Sequence, residues 1–231
     1  MNSKELDEVL VKHAEPQYKK FTAGLVNPPS QVLGVRAPVL RGIVKEIAKG
    51  DVISFLDNTG VDNYEKAVIY GLLITKLKDE EVAFKYFGKF VTTIDNWAVC
   101  DSVCLDFYTL ERCREKRWEY VKNLAESKSE FISRAGIVLM LKFYKTEQFT
   151  EKVFAVMDGI RSDAYYVNMA QAWLIAEYFI ASRDKTLAYL RSNKLNAFTH
   201  NKAIQKIRES LRVSAGDKET LILLKRKARR H

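Results

Sequence analysis

The sequence predicts an all-α fold, an α-solenoid of stacked helical hairpins, and three observations lead there. All four prolines (Pro16, Pro28, Pro29, Pro38) fall within the first 38 residues. A β-rich chain would need turn punctuation throughout the remainder, whereas stacked helices do not. Leu, Ala, Lys and Glu dominate that remainder, and these are good helix formers. Finally, helix openings recur at a nearly constant interval.

The elements follow in order. A helical pattern starts near Ser3 and runs through Leu6, Val9, Leu10 and Val11. A loop follows, with Asn27-Pro28-Pro29-Ser30 as its clearest breaker. Pro38 sits where a first helical turn tolerates it, ahead of Leu40, Ile43, Val44 and Ile47; Gly50 reads as the stop and Asp51 as the next cap. From there Asp62-Asn63-Tyr64, Asp95-Asn96-Trp97, Glu130-Phe131-Ile132, Asp163-Ala164-Tyr165 and Thr199-His200-Asn201 each open an apolar helix, at separations of 33, 35, 33 and 36 residues. The openings carry cap-type or acidic residues, and the first four add an aromatic. Shorter helices are expected between them, over 79–90, 112–126, 147–159 and 182–192. Two helices per ~35 residues is the signature of a repeat array in which each hairpin buries its apolar face on its neighbours. The alternative is an irregular bundle whose spacing reflects average helix length. The expected organisation is one repeat domain over 1–231, with N-terminal helices over 1–58, repeats over about 59–215 and a basic helix or tail over 216–231.

Composition narrows the function. The chain has 231 residues, 47% apolar and 29% charged, which excludes wholesale disorder. No run approaches the ~18 apolar residues of a membrane span. The charged N-terminus does not read as a secretory signal. Three cysteines fit a reducing compartment and no disulfide framework. Cys100 and Cys104, with His13 and His200 remote in sequence, do not make a zinc site, and they read as small buried thiols. No glycine-rich phosphate loop occurs, so neither nucleotide hydrolysis nor a dinucleotide cofactor is expected. The net charge is +9, of which +8 lies between Lys194 and His231, where eleven Lys/Arg face three Asp/Glu. Such an end suits a polyanion, nucleic acid or an anionic membrane surface, or is a solvated helix end. The run from Lys225 to His231 reads as a basic tail, and Asp106, Glu111 and Glu115 as surface charges.

One constellation carries chemistry. Trp97 and Asp101 are four apart on one predicted helix and share a face. Arg134 follows 33 residues later, about one repeat on, so the three are expected on one surface, joined by Tyr166 and Trp173 from the next repeat. A ring face and a carboxylate stabilise a cation, and a guanidinium holds a phosphate. The competing reading makes Trp97 core and Asp101–Arg134 a structural ion pair.

Four segments carry a resemblance. Gly34-Val35-Arg36-Ala37-Pro38-Val39-Leu40-Arg41, Asn96-Trp97-Ala98-Val99-Cys100-Asp101, Ser133-Arg134-Ala135-Gly136-Ile137-Val138 and Tyr165 through Trp173 resemble, in order, the signatures of DNA alkylation repair proteins of the AlkD family. The likeness spans roughly residues 15 to 212. It implies a HEAT-like-repeat fold that holds duplex DNA in a basic concave groove. It also implies monofunctional glycosylase action on N3- and N7-alkylated purines, without a metal or other cofactor. Carried over, Trp97 and Trp173 contact the lesioned nucleotide, Asp101 stabilises the sugar cation and orients water, and Arg134 anchors a phosphate. Tyr166, Lys202, Lys206, Arg208 and Arg212 then belong to the DNA-binding face. The chain departs from the family pattern at Asn96, Ala98, Cys100, Ser133 and Asn168 or Met169. The expected partner is double-stranded DNA with alkylated bases, bound by a monomer in the cytoplasm, nucleoid-associated in a bacterium or nuclear in a eukaryote. The rival functions are a non-catalytic repeat protein that binds damaged or branched DNA, and a solenoid that holds a peptide.

Overall fold

A computed structural model describes residues 1–28 and 30–227. Pro29 of the expected breaker, and Ala228 to His231 of the expected basic tail, lie outside the described residues. Among those described the protein is all-helical, with fifteen α-helices and no strand, as expected; the only bridge is Gln31 with Asn63. The chain forms two compact units, residues 1–112 and 113–231.

The first unit holds α1 (Ser3–Lys12), α2 (Pro16–Val26), α3 (Ala37–Ile47), α4 (Val52–Asn58), α5 (Tyr64–Ile74), α6 (Glu80–Phe90) and α7 (Trp97–Asp106). The short α8 (Thr109–Cys113) ends on the first residue of the second unit. Side-chain caps start these helices where the sequence led one to expect. Asp51 accepts from Ser54 N, Asn63 from Lys66 N, Asp79 from Val82 N and Asn96 from Val99 N. The helix α2 corrects the expectation of a loop, because Pro16 occupies its first turn rather than ending anything. Helices α3, α5 and α7 lie side by side. Their core is closed by Phe87 stacked on Phe107 at 4.7 Å, with Phe84 edge-on to Phe107 at 5.0 Å. Lys66 is buried, and its ammonium joins Asp7 of α1 at 2.7 Å to Asp62 at 3.2 Å, tying α1 to the start of α5.

The second unit holds α9 (Trp118–Ala125), α10 (Glu130–Phe143), α11 (Glu147–Gly159), α12 (Tyr165–Ala181), α13 (Arg183–Ser192), α14 (Ala197–Glu209) and α15 (Ala215–Leu223). The expected helix over 112–126 is in fact two, α8 and α9, separated by a turn through residues 114–117. The last repeat helix begins two residues earlier than expected, because Asn196 rather than Thr199 is its cap and accepts from Thr199 N at 2.8 Å. Helices α10, α12 and α14 run parallel: like ends touch like ends. At the N-terminal ends Asn168 Oδ1 accepts from Thr199 Oγ1 at 2.7 Å, and at the C-terminal ends Glu177 meets Lys145 at 3.3 Å.

One-repeat spacing is written into these contacts. Tyr144 donates its hydroxyl to Arg114 O, and Tyr178, one repeat later, donates to Tyr144 O, each at 2.7 Å. Both rings are fully buried, and burial pushes both phenols well above their ordinary pKa. The α9–α10 contact is tight enough to require glycine. A Cβ on Gly136 would lie 2.2 Å from Ala125 N and 2.6 Å from Ala125 Cα, so backbone would have to move. Ser133 donates to Ala125 O at 2.7 Å in the same contact. Gly136→Ala is therefore expected to destabilise the fold by about 1–3 kcal/mol through overpacking. Urea unfolding reads this as a lower midpoint at unchanged slope; an unshifted midpoint contradicts the contact.

Candidate functional site

Helix α7 is built around an Asn cap. Asn96 is buried at its start; its Oδ1 accepts from Val99 N at 2.9 Å while its Nδ2 donates to Asp95 Oδ1 at 2.7 Å. Asp95 also accepts from Ser30 N at 3.2 Å, which fixes the helix start against the loop before α3. Ala98, Val99, Cys100, Val103 and Cys104 are all buried, so one face of α7 belongs to the core. Trp97 and Asp101, one turn apart, are half-buried and lie together on α7. An indole and a carboxylate thus share one face of a rigidly seated helix.

In the second unit, α10 grips the start of α12 with two side chains one turn apart. Glu130 Oε1 accepts from Tyr166 N at 2.8 Å, and Arg134 Nη1 donates to Tyr166 O at 2.8 Å. Arg134 is only 6% exposed, and its guanidinium carbon lies 5.9 Å from the Tyr166 ring centre. Arg134, expected from the sequence to anchor a phosphate or to form half of an ion pair, also holds the first turn of α12. Glu130, a helix opener by sequence, supplies the other half of that grip. Trp173 is half-buried seven residues after Tyr166, two turns along the same face.

An aromatic row crosses these helix starts. Phe131 lies 5.5 Å from Tyr166, Tyr166 5.3 Å from Tyr165, and Tyr165 6.2 Å from Phe198. Lys202 Nζ is 6.0 Å from the Phe198 ring and 2.9 Å from Gln205 Oε1. Phe198 therefore gives the fifth opening the aromatic that the sequence reading, starting that helix at Thr199, did not credit to it.

The expected basic residues divide. Lys202 belongs to the aromatic end of α14. Lys206 and Arg208 are half-buried further along, and the Arg208 Nε is buried without a hydrogen-bond partner. Arg212, beyond the end of α14, is exposed and ion-paired with Glu177 of α12 at 3.1 Å. Lys202 and Arg212 thus stand at opposite ends of the helix. Asp106 is not a bare surface charge: Arg41 donates to it at 2.7 Å. Glu115 accepts from Gln148 Nε2 at 3.2 Å.

Cys100 and Cys104 are fully buried. His200 is also buried, between Asn193 Nδ2 at 3.1 Å from its Nδ1 and Leu224 O at 2.8 Å from its Nε2. Burial holds its pKa below the ordinary value, with Arg226 adding to the effect against the opposing bond to Leu224 O. Among the described residues no group of three or more His, Cys, Asp or Glu side chains is placed to hold a metal ion. No described helix is long and apolar enough to cross a membrane.

Comparison with protein-family models matches residues 6–207 to the DNA alkylation repair enzyme family. The chain belongs to that family. No curated protein matches it. Membership assigns the protein to DNA alkylation repair, with DNA as the substrate. The positions where this repair-family chain departs from its relatives' pattern have structural reasons. Asn96 is the α7 cap, and Ala98 and Cys100 face the core. Ser133 is buried against α9. Asn168 is buried in the seam with α14, where its Oδ1 also accepts from Asn196 Nδ2 at 3.1 Å; Met169, beside it, is half-buried.

Proposed function

We propose that this protein is a DNA glycosylase that hydrolyses the N-glycosidic bond of cationic alkylated purines, N3-methyladenine and 7-methylguanine, in duplex DNA. The observation that carries the reading is the Trp97–Asp101 pair, an indole and a carboxylate one turn apart on the face of α7 that is not core.

The chemistry suits such a pair. An N3- or N7-alkylated purine is already positively charged, so its bond to C1′ is weak. When that bond breaks, the electron pair goes to the purine, which leaves neutral, and positive charge develops on the sugar. The Asp101 carboxylate stabilises that charge and orients the water that adds to C1′, whose proton then passes to the carboxylate or to solvent. Trp97 and Trp173 are assigned to the lesioned nucleotide, whose positive charge an indole ring can stabilise. Arg134 is assigned to the neighbouring phosphate, and Tyr166, held by its backbone to Glu130 and Arg134, to the adjacent contact. Lys202, Lys206 and Arg208 are assigned to the duplex backbone, with Arg212 joining them on release from Glu177. The reading calls for no cofactor, for a monomer, and for a location with the chromosome, in a nucleoid or a nucleus.

The test follows from the leaving group. Duplexes with a single 7-methylguanine are expected to release that base, and matched duplexes with neutral hypoxanthine are expected to release none. Comparable release of both would contradict a mechanism that depends on the charge of the lesion. Release of neither, with DNA affinity intact, would favour the non-catalytic DNA-binding reading.

A further inference from the structure

The second unit contains a groove of about 990 Å³ between the starts of α12 and α14 and the segment after α15. That is at the upper end of the ~300–1,000 Å³ usual for ligand sites. Arg134, Tyr166 and Trp173 do not line it. Tyr165, Phe198, Lys202 and Lys225 to Lys227 line it, with Asp163 the one carboxylate among the lining residues. Tyr165 and Phe198 are 56% and 46% exposed, unusual for rings already in contact with each other.

The segment after α15 is pinned. Arg226 donates to Leu195 O at 2.6 Å and to Asn193 O at 2.7 Å, and its backbone N–H and C=O both bond the side chain of Asn201. With Arg226 turned into the body, Lys225 and Lys227 on either side of it are exposed. The groove thus brings two exposed rings and two exposed lysines into one lining.

The amides around it are occupied by the protein. Asn201 bonds Arg226 through both side-chain atoms, Gln205 bonds Lys202 and Glu209, and Asn168 and Asn196 bond each other. These groups therefore do not read base edges. Ring faces with cations and no edge readout are what unpaired nucleotides need: bases stack on the rings and phosphates meet the lysines, with tolerance of sequence. A peptide would need amide partners that the groove keeps for itself.

We infer that this groove is a second nucleic-acid site that takes unpaired nucleotides of single-stranded DNA, stacked on Tyr165 and Phe198, with Lys225 and Lys227 on their phosphates. The inference rests on DNA being this protein's substrate and adds a site outside the proposed catalytic residues. In operation it would hold a strand segment opened next to a duplex, so that the enzyme favours lesions near unpaired DNA.

The test is the affinity of the full chain for fluorescent oligothymidylate, with base release from methylated duplex measured in parallel. Phe198→Ala and Tyr165→Ala are each expected to weaken oligothymidylate binding about five- to hundredfold, the usual range for loss of a stacked base. Phe198→Trp is expected to keep it. Both rings are exposed, so thermal unfolding should be little changed, which separates lost stacking from lost fold. Unchanged affinity in Phe198→Ala overturns the inference. So does affinity that falls with Lys225→Ala and Lys227→Ala alone, since that is charge attraction without a platform. Binding that demands one particular base contradicts it too. Base release by the wild type with Phe198-independent oligothymidylate binding removes this groove only. Ring-dependent binding without base release removes the glycosylase and leaves the groove.

Discussion

Asp101→Asn is expected to lower base release from methylated duplex DNA by at least about a hundredfold, the scale of losing one preorganised electrostatic partner of a transition state. The substitution keeps shape and removes one negative charge. Affinity for undamaged duplex is expected to stay equal or rise, because a carboxylate near phosphates opposes binding. The opposite movement of the two readouts matters. A variant that merely unfolded would lose both, and a variant of a bystander residue would lose neither. Thermal unfolding is expected to show the fold intact, since Asp101 lies on the half-buried face of α7 while the helix is anchored by its core face and the Asn96 cap.

The second large effect is on stability, at Glu65. This side chain is completely buried in the first turn of α5. Its two oxygens accept the backbone N–H groups of Leu33 at 2.9 Å, Gly34 at 2.7 Å and Val35 at 3.2 Å. The loop they hold carries Gly34 at φ +99°, where a Cβ would meet Glu15 O at 2.6 Å. Just beyond it Arg36 makes a paired contact with Glu15, at 2.8 Å through both Nε and Nη2. Glu65→Ala leaves three N–H groups without their acceptor in a site closed to water. Each such loss costs roughly 1–3 kcal/mol, and some relaxation is expected, so the total is put at about 3–5 kcal/mol. Glu65→Gln is expected to fall between, because its amide nitrogen faces donors. Denaturant unfolding measures the drop; a midpoint within error of the wild type would show that the loop does not depend on this carboxylate. Exposed Arg36–Glu15 is a useful contrast, since solvent screens the pair and its removal is expected to change the midpoint little.

The sequence was most legible where a local rule is strong. Asn63 and Asn96 announce α5 and α7 as caps, and Pro38 announces α3. It misled where the same local signal has two uses. Pro16 looked like part of a loop, yet proline is equally at home in a helix's first turn, and the exposed Phe21 and Leu25 blur the amphipathic pattern of α2. Thr199 is a cap-type residue and reads as the opening of α14, yet the cap is Asn196, three residues ahead of it. The grips were the least legible. Glu65 and Glu130 each sit in a first helical turn, where an acidic residue is ordinary. What distinguishes them is a partner 30 to 36 residues away, which spacing alone does not single out. Asn96, Ser133 and Asn168 depart from the family pattern, and the structure gives each a cap or a packing seam.

The most direct measurement is base release from duplex DNA methylated at random by a simple alkylating agent, wild type beside Asp101→Asn, with the released base identified by chromatography. The account predicts N3-methyladenine or 7-methylguanine from the wild type and none above background from the variant. Equal release from both proteins, or release from neither while both bind duplex DNA, would contradict it.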